Sequence, residues 1–124
     1  YKWLIYLTNT LQAELLIYFY PERLAIDANA AAAVKLRAQE RVADMLDLIE
    51  QALAQRAAAG QVPYLLGSQY SAADAYLLML CRWTRMMPHP ARSRTHLNRS
   101  LQAIAARPAV ARAFAGEAIE PPYF

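Results

Sequence analysis

Apolar side chains return every three or four positions through most of this chain, and proline or glycine stands where the rhythm breaks. From Tyr1 to Tyr20, the residues Leu4, Leu7, Leu11, Leu15 and Tyr18 mark one face of an amphipathic helix with about 3.6 residues per turn. Pro21 stops it, because the ring removes an amide donor and crowds the preceding turn. A longer helix is predicted from a cap at Asp27 or Asn29 to Gly60. Its inner stripe is Val34, Ala38, Val42, Met45, Ile49 and Leu53, with charged residues such as Lys35, Glu40 and Asp47 outside. Gly60 suits the end, since glycine takes the left-handed conformation that closes a helix.

The connector from Gln61 to Tyr70 carries Pro63 and Gly67, and its apolar Tyr64, Leu65 and Leu66 are expected to tuck against the helices. A third helix opens at Ser71-Ala72-Ala73-Asp74. There the serine can cap the amide three residues on, and the aspartate can reach back to the serine amide. The acid also suits the positive end of the helix dipole. The following run, Ala75 to Cys81, is apolar on every side, which predicts a helix buried on every side at the centre of a bundle. Pro88 and Pro90 interrupt the chain. A fourth helix fits roughly Thr95 to Ala106, with Leu97, Leu101 and Ile104 inward. Pro108 starts a fifth, with Val110, Ala113 and Phe114 inward and Gly116 at its end. No strand pattern and no internal repeat is evident. The expected fold is therefore all-α: about five helices around a buried central helix.

Composition agrees with one domain. The chain has 124 residues, 57% of them apolar, with only three glycines. No apolar run is long enough to span a bilayer. The single cysteine, Cys81, excludes an internal disulfide and points to a reducing compartment, the cytoplasm. The net charge of +3 is uneven: no acid lies between Asp74 and Glu117, a stretch holding Arg82, Arg85, Arg92, Arg94, Arg99, Arg107 and Arg112. Such a half suits an anionic partner or an acidic neighbour. Nucleic acid is the weaker reading, because Arg99, Arg107 and Arg112 fall on the polar sides of helices with apolar stripes. His89 and His96 are separated by Pro90 and do not form a metal-ligand spacing, so no metal is expected.

The run Tyr64-Leu65-Leu66-Gly67, followed by Tyr70-Ser71-Ala72-Ala73-Asp74-Ala75-Tyr76-Leu77, resembles the centre of the C-terminal domain of glutathione transferases. That family carries a capping box at the start of its buried helix. Trp3-Leu4 with the turn-spaced face ending near Phe19-Tyr20-Pro21 is similar to the first helix of that domain. Arg82-Trp83 and Arg107-Pro108-Ala109-Val110-Ala111-Arg112-Ala113 resemble bacterial, beta-class-like members. The likeness covers nearly the whole chain in the right order.

The resemblance implies that residues 1–124 are the helical domain of a larger protein, as an opening at Tyr1 also suggests. An upstream thioredoxin-like domain would bind glutathione as co-substrate and activate its thiol. The helical half would supply the pocket for a small hydrophobic electrophile and part of a homodimer interface, and would be inactive alone. A non-catalytic, transferase-like interaction module is the alternative. Where beta-class members place an asparagine, a histidine and a lysine near glutathione, the matching positions here are Ile5, Gln12 and Ala13. Hydrogen bonding survives there, but acid–base chemistry does not. The candidates for the substrate pocket are Tyr6, Thr10, Gln12 and Trp83, and the structural cap is Ser71 with Asp74. Tyr123 and Phe124 either fold over a pocket or form an irregular end. Cys81, within the apolar helix, reads as a buried structural thiol.

Overall fold

The chain builds its first rod from three consecutive helical pieces: α1 (Lys2–Tyr6), a π-helical stretch (Leu7–Gln12) and α2 (Ala13–Phe19). The computed structural model describes all of residues 1–124. The wider π turn lets a strict four-residue spacing stay on one face, so Trp3, Leu7, Leu11 and Leu15 are buried. This corrects the expected face at its start, where Leu4 is 38% exposed and Trp3 takes the inner place. The rod also buries Glu14, whose carboxylate meets Arg41 at 3.0 Å. A turn of 3-10 helix at Pro21–Leu24 reverses the chain.

Helix α3 (Ala28–Ala58) is capped by Asp27, whose carboxylate accepts the Ala30 amide at 2.8 Å. Its end is a left-handed Gly60 (φ 71°), with the Gln61 amide bonded back to Arg56 and the Gly60 amide to Ala57. Its core stripe is Ala38, Val42, Leu46, Ile49 and Leu53. Leu46 is fully buried, whereas Met45, the expected inner residue, is only half-buried, as is Val34. Between neighbours that are both apolar, a difference of about 100° around the helix is decided by packing.

Helix α4 (Ala72–Trp83) runs through the centre, burying Ala73, Leu77, Leu78, Leu80 and Cys81. It is not enclosed on every side: Ala75 is exposed and Met79 is 39% exposed. Helix α5 (Thr95–Ala105) follows a 3-10 turn at Ala91–Ser93 and buries Leu97, Leu101 and Ile104. No local side chain caps α5. Glu50 of α3 does so instead, accepting the His96 amide at 3.0 Å and the Leu97 amide at 2.7 Å. Helix α6 (Pro108–Gly116) has no buried residue. Val110 and Phe114 are half-buried and Ala113 is exposed, so the inward face expected for this helix is largely open. The connector's Leu65 is buried, but Leu66 is 49% exposed. The chain forms five helical rods and no strand; its only bridges are the isolated pairs Tyr64 with Gly67 and Leu66 with Gln69.

Several arginines of the basic half are turned inward. Arg94 reaches Asp47 at 2.6 Å and the carbonyls of Ala43, His89 and Pro90. Arg107, expected on an outer polar side, stacks 3.8 Å from the Tyr70 ring centre and donates to the Tyr64 hydroxyl at 3.2 Å. Arg82 donates to the Tyr123 carbonyl at 2.9 Å, and Tyr123 stacks on Phe114 at 4.5 Å. The tail therefore lies back on α4 and α6.

Candidate functional site

One buried carboxylate sets the start of α4. Ser71 is extended (φ −139°, ψ 170°), so its side chain faces the first helical turn. Asp74 Oδ2 accepts the Ser71 amide at 2.8 Å and the Ser71 hydroxyl at 2.9 Å, while Oδ1 accepts the Leu65 amide at 2.8 Å. The same carboxylate thus closes the capping box and ties the connector to the helix. Both are structural contacts, and they fix where the connector meets the first turn of α4.

The first rod and α4 lie side by side and point the same way. The Tyr76 hydroxyl donates to Gln12 Oε1. Seven residues further along both helices, Phe19 meets Trp83 edge to face, with ring centres 6.2 Å apart at 82°. That spacing is about two turns, or roughly 10 Å. The seam is thus spanned by a polar pair at one level and by an aromatic pair at the next. At that end lies a cavity of about 310 Å³ lined by Leu16, Phe19, Tyr20, Trp83, Arg85 and Met86. Its walls are aromatic and aliphatic apart from the Arg85 guanidinium and the Tyr20 hydroxyl.

Of the four expected pocket residues, Trp83 lines this cavity and Gln12 stands in the same seam. Tyr6 is elsewhere: its hydroxyl donates to the Met45 carbonyl at 3.0 Å and its ring packs edge to face on Trp3. Burial pushes the Tyr6 phenol above its ordinary value. Thr10 is half-buried and does not line the cavity. The cavity is also lined by Leu16, Phe19, Tyr20, Arg85 and Met86, which the sequence reading did not single out as pocket residues. Leu16 and Phe19 were detectable, standing four and seven positions after Gln12 on one helix face. Arg85 and Met86 follow the end of α4, where periodicity carries no information.

Three larger clefts lie elsewhere, and two of them have mainly apolar linings. A groove of about 350 Å³ between α4 and α6 is lined by apolar residues including Ala75, Leu78, Met79, Val110 and Phe114, with Arg82 at its rim. A cleft of about 440 Å³ near Trp3, Arg56 and Leu66 includes Ser71, whose hydroxyl is already engaged by Asp74. The thiol of Cys81 is fully buried, and burial pushes it far above its ordinary range, so it stays protonated and unreactive.

The arrangement therefore offers shape and apolar surface, with neither the phenol nor the thiol that the fold perturbs moved toward ionisation near neutrality. No curated protein and no solved structure matches the chain. The family model described as "Glutathione S-transferase, C-terminal domain" matches residues 26–116, from the turn before α3 through the end of α6. A capped central helix in an all-helical bundle agrees with that match, and the chain belongs to the glutathione S-transferase C-terminal domain family.

Proposed function

We propose that this chain is the co-substrate half of a bacterial, beta-class-like glutathione transferase. In this reading it holds a hydrophobic electrophile while an upstream thioredoxin-like domain binds glutathione and activates its thiol. The observation that carries the reading is the open aromatic cavity at Trp83 in a domain of this family. Thiolate formation requires a group that stabilises the anion near neutral pH. Cys81 is sealed in the core and Tyr6 is tied to a carbonyl, so that task falls to the other domain. The helical half then contributes by placing the electrophilic carbon in line with the sulfur, where orientation alone lowers the barrier. The apolar groove between α4 and α6 is the proposed seat of the thioredoxin-like domain, because it leaves Ala75 and Met79 exposed along an apolar lining. A homodimer and a cytoplasmic, detoxifying role complete the reading. The same open groove also favours the second reading, a non-catalytic interaction module.

The test is conjugation of glutathione to 1-chloro-2,4-dinitrobenzene, followed by absorbance. The protein expressed from its natural coding sequence turns over, and the 124-residue chain alone does not. Turnover by the chain alone would overturn the division of labour. No turnover by either protein would favour the interaction module.

A further inference from the structure

We propose that the junction of α3, the connector and α5 is a binding site for one ordered water molecule, held by the Ser100 hydroxyl. The inference does not depend on the transferase reading.

Ser100 is the exception on the inner face of α5. Leu97, Leu101 and Ile104 are fully buried there, and Ser100 is buried with them at 1% exposure. A serine inside a helix ordinarily turns its hydroxyl to solvent or back onto the carbonyl one turn earlier. Here it does neither: Oγ is buried and has no hydrogen-bond partner in the protein. No other buried side-chain oxygen or nitrogen of the chain is left in that state. An orphaned buried hydroxyl is costly, and a bound water is a common remedy.

A void beside Ser100 offers the room. It measures about 10 Å³ and lies between Leu53 and Ala57 of α3, Gln61 and Val62 of the connector, and His96 and Arg99 of α5. The nearby guanidinium and imidazole would also suit an anion, but size decides against one. One water needs about 10–15 Å³, and a phosphate or carboxylate needs far more. A buried water also needs two to four polar partners. Besides Ser100, the amide of Val62 is available, since it lies outside the helices and donates to no carbonyl of the chain. The Gln61 carboxamide has its oxygen taken by Arg56 at 3.3 Å, which leaves its amino group as a further donor. The water accepts from these donors, and the Ser100 hydroxyl can serve it as donor or acceptor. No main-chain hydrogen bond joins α5 to the connector, so the water supplies a link there that the chain itself lacks. The connector runs on to Leu65, whose amide Asp74 holds, and a pin at Val62 steadies that approach to α4.

Electron density from crystals of the protein tests the site directly. The expected result is one isolated peak about 2.6–3.2 Å from Ser100 Oγ, with a second contact to the Val62 amide or the Gln61 side chain. In solution, the Ser100 β-protons show a cross-peak to water with the sign of a long-lived bound molecule. Ser100→Ala removes the density peak. It also speeds hydrogen exchange of the Tyr64 and Gly67 amides, which close the connector's turn, by about tenfold. Ser93→Ala, which removes an exposed hydroxyl in the turn before α5, changes neither. Circular dichroism confirms that both variants are folded. A hydroxyl turned onto the His96 carbonyl with no peak beside it would overturn the proposal. So would a peak that persists in Ser100→Ala, or connector exchange equal in all three proteins. An anomalous signal at the peak after soaking in bromide would assign the site to an anion and overturn the choice of water.

Discussion

Replacing Asp74 by alanine tests whether one buried carboxylate organises the central helix. The side chain is 0% exposed and takes three donors: the Ser71 amide, the Ser71 hydroxyl and the Leu65 amide, at 2.8, 2.9 and 2.8 Å. Alanine removes a helix cap, which costs about 0.5–2 kcal/mol. It also strands the Leu65 amide in a position where Leu65 is fully buried, at a further cost of about 1–3 kcal/mol. A combined loss of about 2–5 kcal/mol is a large part of the roughly 5–15 kcal/mol that stabilises a typical domain. Asp74→Asn keeps the shape and one acceptor oxygen, so its loss is intermediate. Urea unfolding, followed by circular dichroism and by the fluorescence of Trp3 and Trp83, measures both variants; a shift in midpoint at constant slope isolates stability. The melting temperature of Asp74→Ala falls by roughly 8–20 °C, at about 4 °C per kcal/mol. An alanine variant within about 1 kcal/mol of the wild type would refute the reasoning, because water would then be serving the Leu65 amide as well as the carboxylate does.

Glu50→Ala removes both acceptors at the start of α5 and should cost about 1–2 kcal/mol, as for a helix cap reinforced by the dipole. Glu50→Gln restores part of it, and no loss in the alanine variant would mean that solvent caps α5. Cys81 governs stability in alkali. Burial raises its thiol above the ordinary value of 9.0, so the folded chain keeps a proton that the unfolded chain gives up. That contribution is full below about pH 9 and declines as pH rises further, by up to about 1.4 kcal/mol per unit. Cys81→Ala flattens this slope, and equal slopes in both proteins between about pH 9 and 10 would contradict the assignment.

Much of the fold was legible locally. Helix-period apolar spacing located all five rods, and Pro21, Gly60, Pro88, Pro90 and Pro108 marked where they stop or start. The Ser71–Asp74 box was readable because its partners stand three residues apart in one turn. Capping and periodicity act within a turn or two, so the residues themselves determine them. Tertiary packing alone chose Trp3 over Leu4 and Leu46 over Met45, since both members of each pair are apolar and only the neighbouring helix distinguishes them. It also left Ala75 and Met79 exposed, because α6 stands off from α4 there and a groove remains between them. The seam lay further from view: Gln12 and Tyr76 meet across 64 positions, and Glu50 caps a helix 46 positions away. The cavity draws residues 16–20 from one rod's end and 83–86 from another's. The chain alone determined which segments coil and where they end. Only packing, through close contact between residues remote in sequence, decided which faces are sealed and which remain open.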